Sequence, residues 1–403
     1  MDFSLTDDQV AFEHSARQFA LKELRPNAAE WDRSSYFPIE AIKKSGELGF
    51  LGLYTNSNYE GLGLPRLDSA MVFEALAWGD TAVASYMSIH NMVSWMIGEY
   101  GHDALCQQYL PKMVNGDWLG SYCLTEPNAG SDAASLRTKA DKQGDYYVLN
   151  GEKWFSSAAT AADIAVVMAK TNPDAPRHQQ YSTFIVELPN PGYNIIRDIP
   201  TMAVHGPHYA EMGGGHAEVK IENLIVPEEN LLGGEGQGFA MGQHRLAYGR
   251  LRHGMHNVAM AQRALDLATE HVTSRETFGK KLEDRQGVQF MLAECASQLY
   301  IARLMLMHIA YKAENGMDIR QENGIAKVFL ANMVHKVVDT AIQLHGALGY
   351  SLDTPLAAWY THIRSQRLVD GPDEVHKWIT GKNVIRAFKK DGTSAAAAGG
   401  DLL

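Results

Sequence analysis

Tyr146-Tyr147-Val148-Leu149-Asn150-Gly151-Glu152-Lys153-Trp154-Phe155-Ser156-Ser157 marks the place where the helical spacing of apolar residues gives way to β-type sequence. Aromatic and β-branched residues dominate the runs on either side of Asn150-Gly151, which is strand chemistry. Asn and Gly both accept positive φ, so the pair predicts a two-residue hairpin turn. Further short runs follow at Ile164–Met168, Tyr181–Val186, Tyr193–Ile196 and Ala217–Ile221, separated by Pro- and Gly-containing turns. Such strands predict a small antiparallel barrel or sandwich over residues 119–232, and argue against a dinucleotide-binding βαβ sheet.

On the N-terminal side, residues 1–118 read as a helical domain. Thr6 can cap a helix whose apolar residues Val10, Phe12, Ala16, Phe19, Ala20 and Leu24 recur at three- and four-residue steps until Arg25-Pro26. Helical pattern resumes from Ser69 to Glu99 and from Ala104 to Val114. The intervening Glu60-Gly61-Leu62-Gly63-Leu64-Pro65 lacks the Lys-Ser or Lys-Thr of a phosphate loop and reads as a turn. On the C-terminal side, long helical segments at Val258–Val272, Val288–Ala313 and Ile325–Leu344 predict a four-helix bundle over 233–388. Residues 389–403, rich in Ala and Gly, are expected to form a flexible tail. The fold class is therefore α+β, mostly α.

The 403 residues carry 36 Lys plus Arg against 47 Asp plus Glu, a formal charge of -11. That balance argues against a nucleic-acid binder, and no uninterrupted apolar run reaches the roughly 20 residues of a membrane span. Cys106, Cys123 and Cys295 are widely spaced and expected to be reduced thiols. With no signal-like segment at the N-terminus, a mature cytoplasmic protein, or one already trimmed, is expected. Two His-x-x-His groups, His205/His208 and His253/His256, lack the carboxylates or thiolates that would complete a metal site, so no metal is expected. No Gly-x-Ser-x-Gly elbow is present to support a hydrolase.

The loop Tyr122-Cys123-Leu124-Thr125-Glu126-Pro127-Asn128-Ala129-Gly130-Ser131-Asp132 places hydroxyls, a Gly and free amides where helices give way to strands, which suits a polar ring edge or a pyrophosphate. It resembles the flavin-binding signature of the acyl-CoA dehydrogenases. Gly151–Ser157, Val226–Gly233, Ala261–Leu265, Arg275–Lys280, Gln286 and Gln343–Tyr350 resemble further motifs of that family in the same order, over nearly all of residues 1–388.

The resemblance implies FAD as cofactor. It implies flavin contacts from Tyr122, Leu124, Thr125 and Gly130, with Ser131 near the phosphates of flavin and CoA, and an aromatic and a hydroxyl beside the flavin ring from Phe155 and Ser157. Arg275, Thr277, Phe278, Gln286, Gln343 and Gly346 would grip the FAD of a neighbouring subunit, so a homodimer or homotetramer is implied. The family base is usually Glu in a Glu-Gly-Thr-x-Gln context. Here Leu368-Val369-Asp370-Gly371-Pro372-Asp373-Glu374-Val375-His376 puts Asp370 at the base position, with Pro372 and Glu374 at positions of flavin contact and Gly371 beside substrate. Asp before Gly-Pro could equally be a helix N-cap, a role that Asp373 could take instead. Arg250 matches an arginine behind the active site.

The implied reaction is α,β-dehydrogenation of an acyl-CoA. Asp370 removes the α-proton, the β-hydride passes to flavin N5, a trans-2-enoyl-CoA forms, and an electron-transfer flavoprotein takes the electrons. The Asp base also fits a nitroalkane-oxidase-like flavoenzyme. A non-redox, acyl-CoA-binding lyase relative is the other alternative.

Overall fold

The computed structural model describes residues 5–205 and 214–399; His208 therefore lies outside the described residues. Helix α1 (Asp7–Phe19) opens on a reciprocal cap. The Thr6 hydroxyl accepts from the Gln9 amide at 3.2 Å, and Gln9 Oε1 accepts from the Thr6 amide at 3.0 Å. A π-helical turn, Ala20–Leu24, carries the chain to Arg25, just before Pro26. Helices α2 (Ala28–Ser34), α3 (Ile39–Gly46), α4 (Arg66–Ala77), α5 (Thr81–Tyr100) and α6 (Asp103–Val114) follow, with Glu60–Pro65 a loop between α3 and α4.

The strands are β1 (Gly120–Cys123), β2 (Lys139–Gln143), β3 (Tyr146–Ser157), β4 (Ile164–Lys170), β5 (Tyr181–Glu187), β6 (Tyr193–Asp198), β7 (His216–Pro227) and β8 (Leu231–Leu232). After the 37-residue α7 (Gly238–Ser274) come a hairpin, β9 (Glu276–Thr277) and β10 (Lys280–Lys281), and helices α8 (Gln286–Glu314), α9 (Arg320–His345), α10 (Ala347–Tyr350), α11 (Leu356–Ile363) and α12 (Asp373–Asp391). Contacts divide the chain into two compact units. A helical unit gathers Met1–Arg17, Arg66–Thr81 and Arg250–Leu403; a sheet unit gathers Gln18–Pro65 and Ala82–Gly249.

In the sheet unit the strand order is β6-β7-β3-β2-β4-β5-β8, with β1 paired parallel to β4. This corrects the expected antiparallel barrel: the order has two free ends, β6 and β8, and β1 and β2 both meet β4 in parallel. Strand β4 is buried along nearly its whole length, which explains its unbroken apolar run. One side packs Tyr122, Ile164 and Val166 against Trp95 and Met96 of α5 and Met113 of α6; the other packs Cys123, Ala165 and Val167 with Tyr147, Leu149 and Val219.

The expected Asn150-Gly151 turn is not a turn. β3 runs through it, and its pairing with β7 slips between Leu149 and Gly151, a bulge. A Cβ on Gly151 would lie 2.5 Å from Thr138 Oγ1, and Asn150 Oδ1 accepts from the Asn223 amide at 2.8 Å. The pair thus serves close packing inside a strand. The hairpin turn is Gly144-Asp145, between the paired residues Gln143 and Tyr146.

In the helical unit α9 packs against α8, α10, α11 and α12, and α4 packs on α8. Helix α7 joins them through Arg303–Gln262 and through His271, whose ring stacks on His345 with centroids 4.3 Å apart. Among the described residues, α8 is long and apolar enough by composition to cross a membrane. It buries Cys295, Leu299, Ala302, Leu306 and Ile309 at three- and four-residue steps, while Phe290, Tyr300, Ile301 and Tyr311 are exposed. The stretch expected to be a flexible tail is tied down through residue 399: α12 reaches Asp391, and the Ala397 carbonyl accepts from Gln321 Nε2 at 2.7 Å. The three cysteines are buried and unpaired, and no metal-holding cluster of His, Cys, Asp or Glu occurs among the described residues.

Candidate active site

Within the sheet unit, the loop after β1 is built on a buried ion pair. Lys153 on β3 and Glu126 expose 0% and 2% of their side chains and approach to 2.9 Å. Lys153 Nζ also donates to the Leu124 carbonyl at 3.1 Å. The Glu126 carboxylate accepts from the Arg137 and Thr138 amides at 2.6 and 3.0 Å. Burial pushes the Lys153 ammonium below its usual value even though Glu126 opposes the shift. Burial alone would raise Glu126, but Lys153 and the Thr138 and Arg137 donors outweigh it and hold the carboxyl below the ordinary range. Glu126 and Ala129 exchange backbone hydrogen bonds around Pro127-Asn128, leaving Gly130 and Ser131 exposed; a Cβ on Gly130 would meet nothing within 4 Å.

The Trp154 amide donates to the Thr125 carbonyl at 2.7 Å, so β3 and the loop are laced together. Between Lys153 and Ser156 the pairing of β3 slips again, and Phe155 takes φ +55. For a bulky residue that conformation costs about 1–3 kcal/mol and needs the surrounding bonds to impose it. Its effect is to turn the Phe155 ring outward, 41% exposed, with His216 alongside. Ser157 Oγ lies 2.9 Å from His216 Nδ1, and Tyr122 lies buried beneath the Arg245 guanidinium. The same unit holds an open cleft of about 700 Å³ lined by Asn172, His178, Gln179, Glu235, Phe239 and Gln243, where the His178 and Phe239 rings stack at 4.3 Å.

Within the helical unit, Asp370 takes φ +51 and Gly371 φ +98. The Asp370 carbonyl accepts from Arg250 Nε at 3.2 Å and from His376 Nε2 at 3.1 Å, which pins the strained peptide from two helices. Burial, followed by the Arg250 charge, lowers His376, which keeps the ring a neutral donor. His253, one turn beyond Arg250 on α7, brings Nε2 to 3.3 Å from Asp370 Oδ2. The N-cap of α12 is Pro372, so Asp370 is not a cap. Nor does Asp373 cap: it is the first helical residue, and its buried carboxylate pairs with Arg367 at 2.7 Å and Lys327 at 3.3 Å. Burial would raise Asp373, but these two cations hold it below the usual range. Glu374 is exposed in the first turn. Around the carboxylate lies a cavity of about 10 Å³, lined among others by Arg250, His253, Asn257, Lys327, Gln366 and Asp370.

Gly371 is the only residue type this turn admits, because a Cβ there would sit 2.8 Å from His376 Nε2. Gly371→Ala should cost about 1–3 kcal/mol and displace the Asp370 carbonyl. Thermal melts and the rate of substrate oxidation check this; an unshifted melt with full activity contradicts it.

At the far end of α7, Phe278 and Gly279 both take positive φ, the two-residue turn of β9–β10, and Phe278 is 99% exposed. Thr277 lies on the hairpin, Arg275 just before it, and Gln286 opens α8. The His271–His345 stack brings the ends of α7 and α9 together, so Gln343 and Gly346 share this end of the unit with Arg275. What sequence reasoning did not assign is the support given by Lys153–Glu126, His376, Lys327–Asp373 and His253. Of these, His253 was singled out only with His256 as a His-x-x-His pair and Asp373 only as a possible cap; the signal available was that Arg250 and His253 are three residues apart on one helix.

Models of the acyl-CoA dehydrogenase N-terminal, middle and C-terminal domains match residues 6–117, 121–214 and 236–385. The chain is 35% identical over 395 residues to the mitochondrial isobutyryl-CoA dehydrogenase of Dictyostelium discoideum, covering 96% of this chain and 90% of the relative. The chain belongs to the acyl-CoA dehydrogenase family. Butyryl-CoA dehydrogenase from Megasphaera elsdenii superposes with TM-score 0.89 at 32% identity, covering 96% of this chain and 100% of that one. PigA, solved with FAD and proline, superposes with TM-score 0.89 at 26% identity, covering 94% and 98%.

Acyl-CoA dehydrogenases are FAD-binding flavoprotein oxidoreductases, and the donor set here fits that cofactor. The sheet unit offers an outward aromatic ring, a hydroxyl and an exposed Gly-Ser turn. The hairpin end of the helical unit offers Arg275, Thr277 and Gln286 to a pyrophosphate.

Proposed function

We propose that this protein is an FAD-dependent acyl-CoA dehydrogenase in which Asp370 takes the α-proton of an acyl-CoA and a trans-2-enoyl-CoA is released. The observation that carries the proposal is the strained Asp370 peptide, held by Arg250 and His376, with Asp370 lining a small cavity that Arg250 and Lys327 also line. Strain of this kind persists only where the surroundings impose it, and it clusters at functional sites. The α-proton of a thioester is weakly acidic, so the base must be fixed within reach and the growing negative charge stabilised. Arg250 and Lys327 supply fixed positive charge on the carboxylate's side, and the backbone N–H of Asp370 is the family's donor to the thioester oxygen. FAD, when bound, supplies the two-electron acceptor for the β-hydride.

Phe155, Ser157, Leu124, Thr125 and the Tyr122 strand would hold the flavin ring. The Lys153–Glu126 pair fixes the peptide that carries two of them. Ser131 and Gly371 would contact substrate, and the cleft at His178 and Phe239 has room and polar groups for the CoA arm. Arg275, Thr277, Phe278, Gln286, Gln343 and Gly346 would bind the FAD of a second copy. Almost complete exposure of Phe278, together with the bare apolar side of α8, supports a homodimer or homotetramer. An electron-transfer flavoprotein is the proposed acceptor.

Anaerobic mixing of the purified holoprotein with an acyl-CoA panel that includes isobutyryl- and butyryl-CoA should bleach the FAD absorbance. Turnover should be fast with a dye or flavoprotein acceptor and slow with oxygen. Oxygen uptake with nitroalkanes and indifference to CoA esters would mean an oxidase. Acyl-CoA binding without bleaching would mean a non-redox relative.

A further inference from the structure

His216 opens β7 directly opposite Ser157, the last residue of β3, so the two side chains stand on the same face of the sheet. Its Nδ1 lies 2.9 Å from Ser157 Oγ, and its ring packs beside Phe155 with centroids 5.6 Å apart. One exposed imidazole thus meets both of the side chains that the reading above puts beside the flavin ring. The frame beneath this contact is fixed. The Ser157 carbonyl accepts from Ser121 Oγ at 2.8 Å, and the Ala158 amide donates to the Gly215 carbonyl at 2.7 Å.

A serine hydroxyl carries one proton and two lone pairs. Imidazole, with an ordinary value of about 6.5, is far more basic than N5 of an oxidised flavin, so Nδ1 is the stronger acceptor and takes that proton in a hydrogen bond. The lone pairs of Oγ are left to face the cofactor. Two-electron reduction turns flavin N5 from an acceptor into an N–H donor. A lone pair held against it therefore opposes the oxidised ring and accepts from the reduced one.

We propose that His216 is a positioning residue for the cofactor: by holding the Ser157 proton it makes the serine oxygen a fixed acceptor and favours reduced FAD. It acts through Ser157, and no bond forms or breaks. This inference rests on FAD lying with its N5 edge at Ser157, and the experiment separates the two.

The midpoint potential of the FAD in the holoprotein, measured anaerobically against a reference dye at about pH 8.5, well above the ordinary imidazole value, reads the pair without turnover. H216F keeps a ring beside Phe155 but has no acceptor, and H216V suits a strand and is also without polar atoms. In each, the ratio of reduced to oxidised FAD at a fixed potential should fall about five- to tenfold, the worth of one hydrogen bond and a downward shift of about 20–30 mV for a two-electron couple. H216N, whose side-chain oxygen can stand where Nδ1 stands, should stay near the wild-type potential. S157A should lower the potential by itself, and adding H216F to it should change nothing further. A wild-type potential in H216F and H216V, a shift in H216N as large as theirs, or an H216F shift that persists beside S157A overturns the positioning role. FAD that keeps the wild-type potential in S157A overturns the placing of the flavin instead.

Discussion

Asp370→Asn should lower the rate of FAD bleaching by acyl-CoA by about 10²–10⁴-fold, the range that a positioned general base contributes. Asn keeps the shape and the backbone, and the bonds from Arg250 and His376 go to the main-chain carbonyl, so the variant should fold and retain FAD. Stopped-flow absorbance of wild-type and variant, matched for flavin content, checks this. A variant that bleaches at the wild-type rate contradicts the assignment of the base. Chemistry at this position needs a carboxylate; the side chain is one methylene shorter than the usual Glu, and a backbone at φ +51 helps to place it.

The second large effect lies in the sheet unit. Glu126→Gln leaves the Lys153 ammonium fully buried opposite a neutral amide, and breaking such a pair costs about 3–5 kcal/mol. The double variant Glu126→Leu/Lys153→Met removes both charges and should recover much of that loss in a denaturant melt. Flavin affinity should stay impaired in the double variant, because Lys153 no longer holds the Leu124 carbonyl.

The same pair gives a pH signature. Glu126 is held below its ordinary value, so its contribution is fully present above the unfolded carboxyl value of about 4.3 and is lost as pH falls through the lower folded value. Lys153 is also lowered, so at alkaline pH, once its folded value is passed, the cost of burying its charge is relieved. Stability followed against pH should therefore fall on the acid side in the wild-type protein and show less of that fall in the double variant. An equal acid fall in both contradicts the role of the pair.

Much of the architecture was legible because local and tertiary demands agree. Thr6 and Gln9 form a cap that sequence spacing announces, and the apolar steps of α7, α8 and α9 are those of helices that bury one stripe. Asn150-Gly151 misled because the glycine answers a close approach within a strand and not a turn; the neighbour that leaves no room for a Cβ, Thr138, is twelve residues away from Asn150 and invisible to pattern. Gly144-Asp145, two residues between paired strands, was the hairpin signal to read. The parallel contact of β1 with β4 leaves no local trace, which is why closure into a barrel was expected.

At the proposed base, Asp370 could be found from its motif, but the groups around it come from α7, α9 and α12. Residues 250, 327 and 376 meet only after the chain has folded.

A single anaerobic turnover tests the central claim most directly: holoprotein mixed with a slight excess of acyl-CoA, FAD absorbance and CoA-ester mass recorded together. The account expects one acyl-CoA to lose two hydrogens for each FAD bleached, giving the trans-2-enoyl ester. FAD-loaded protein that leaves the mass of every acyl-CoA unchanged would contradict it.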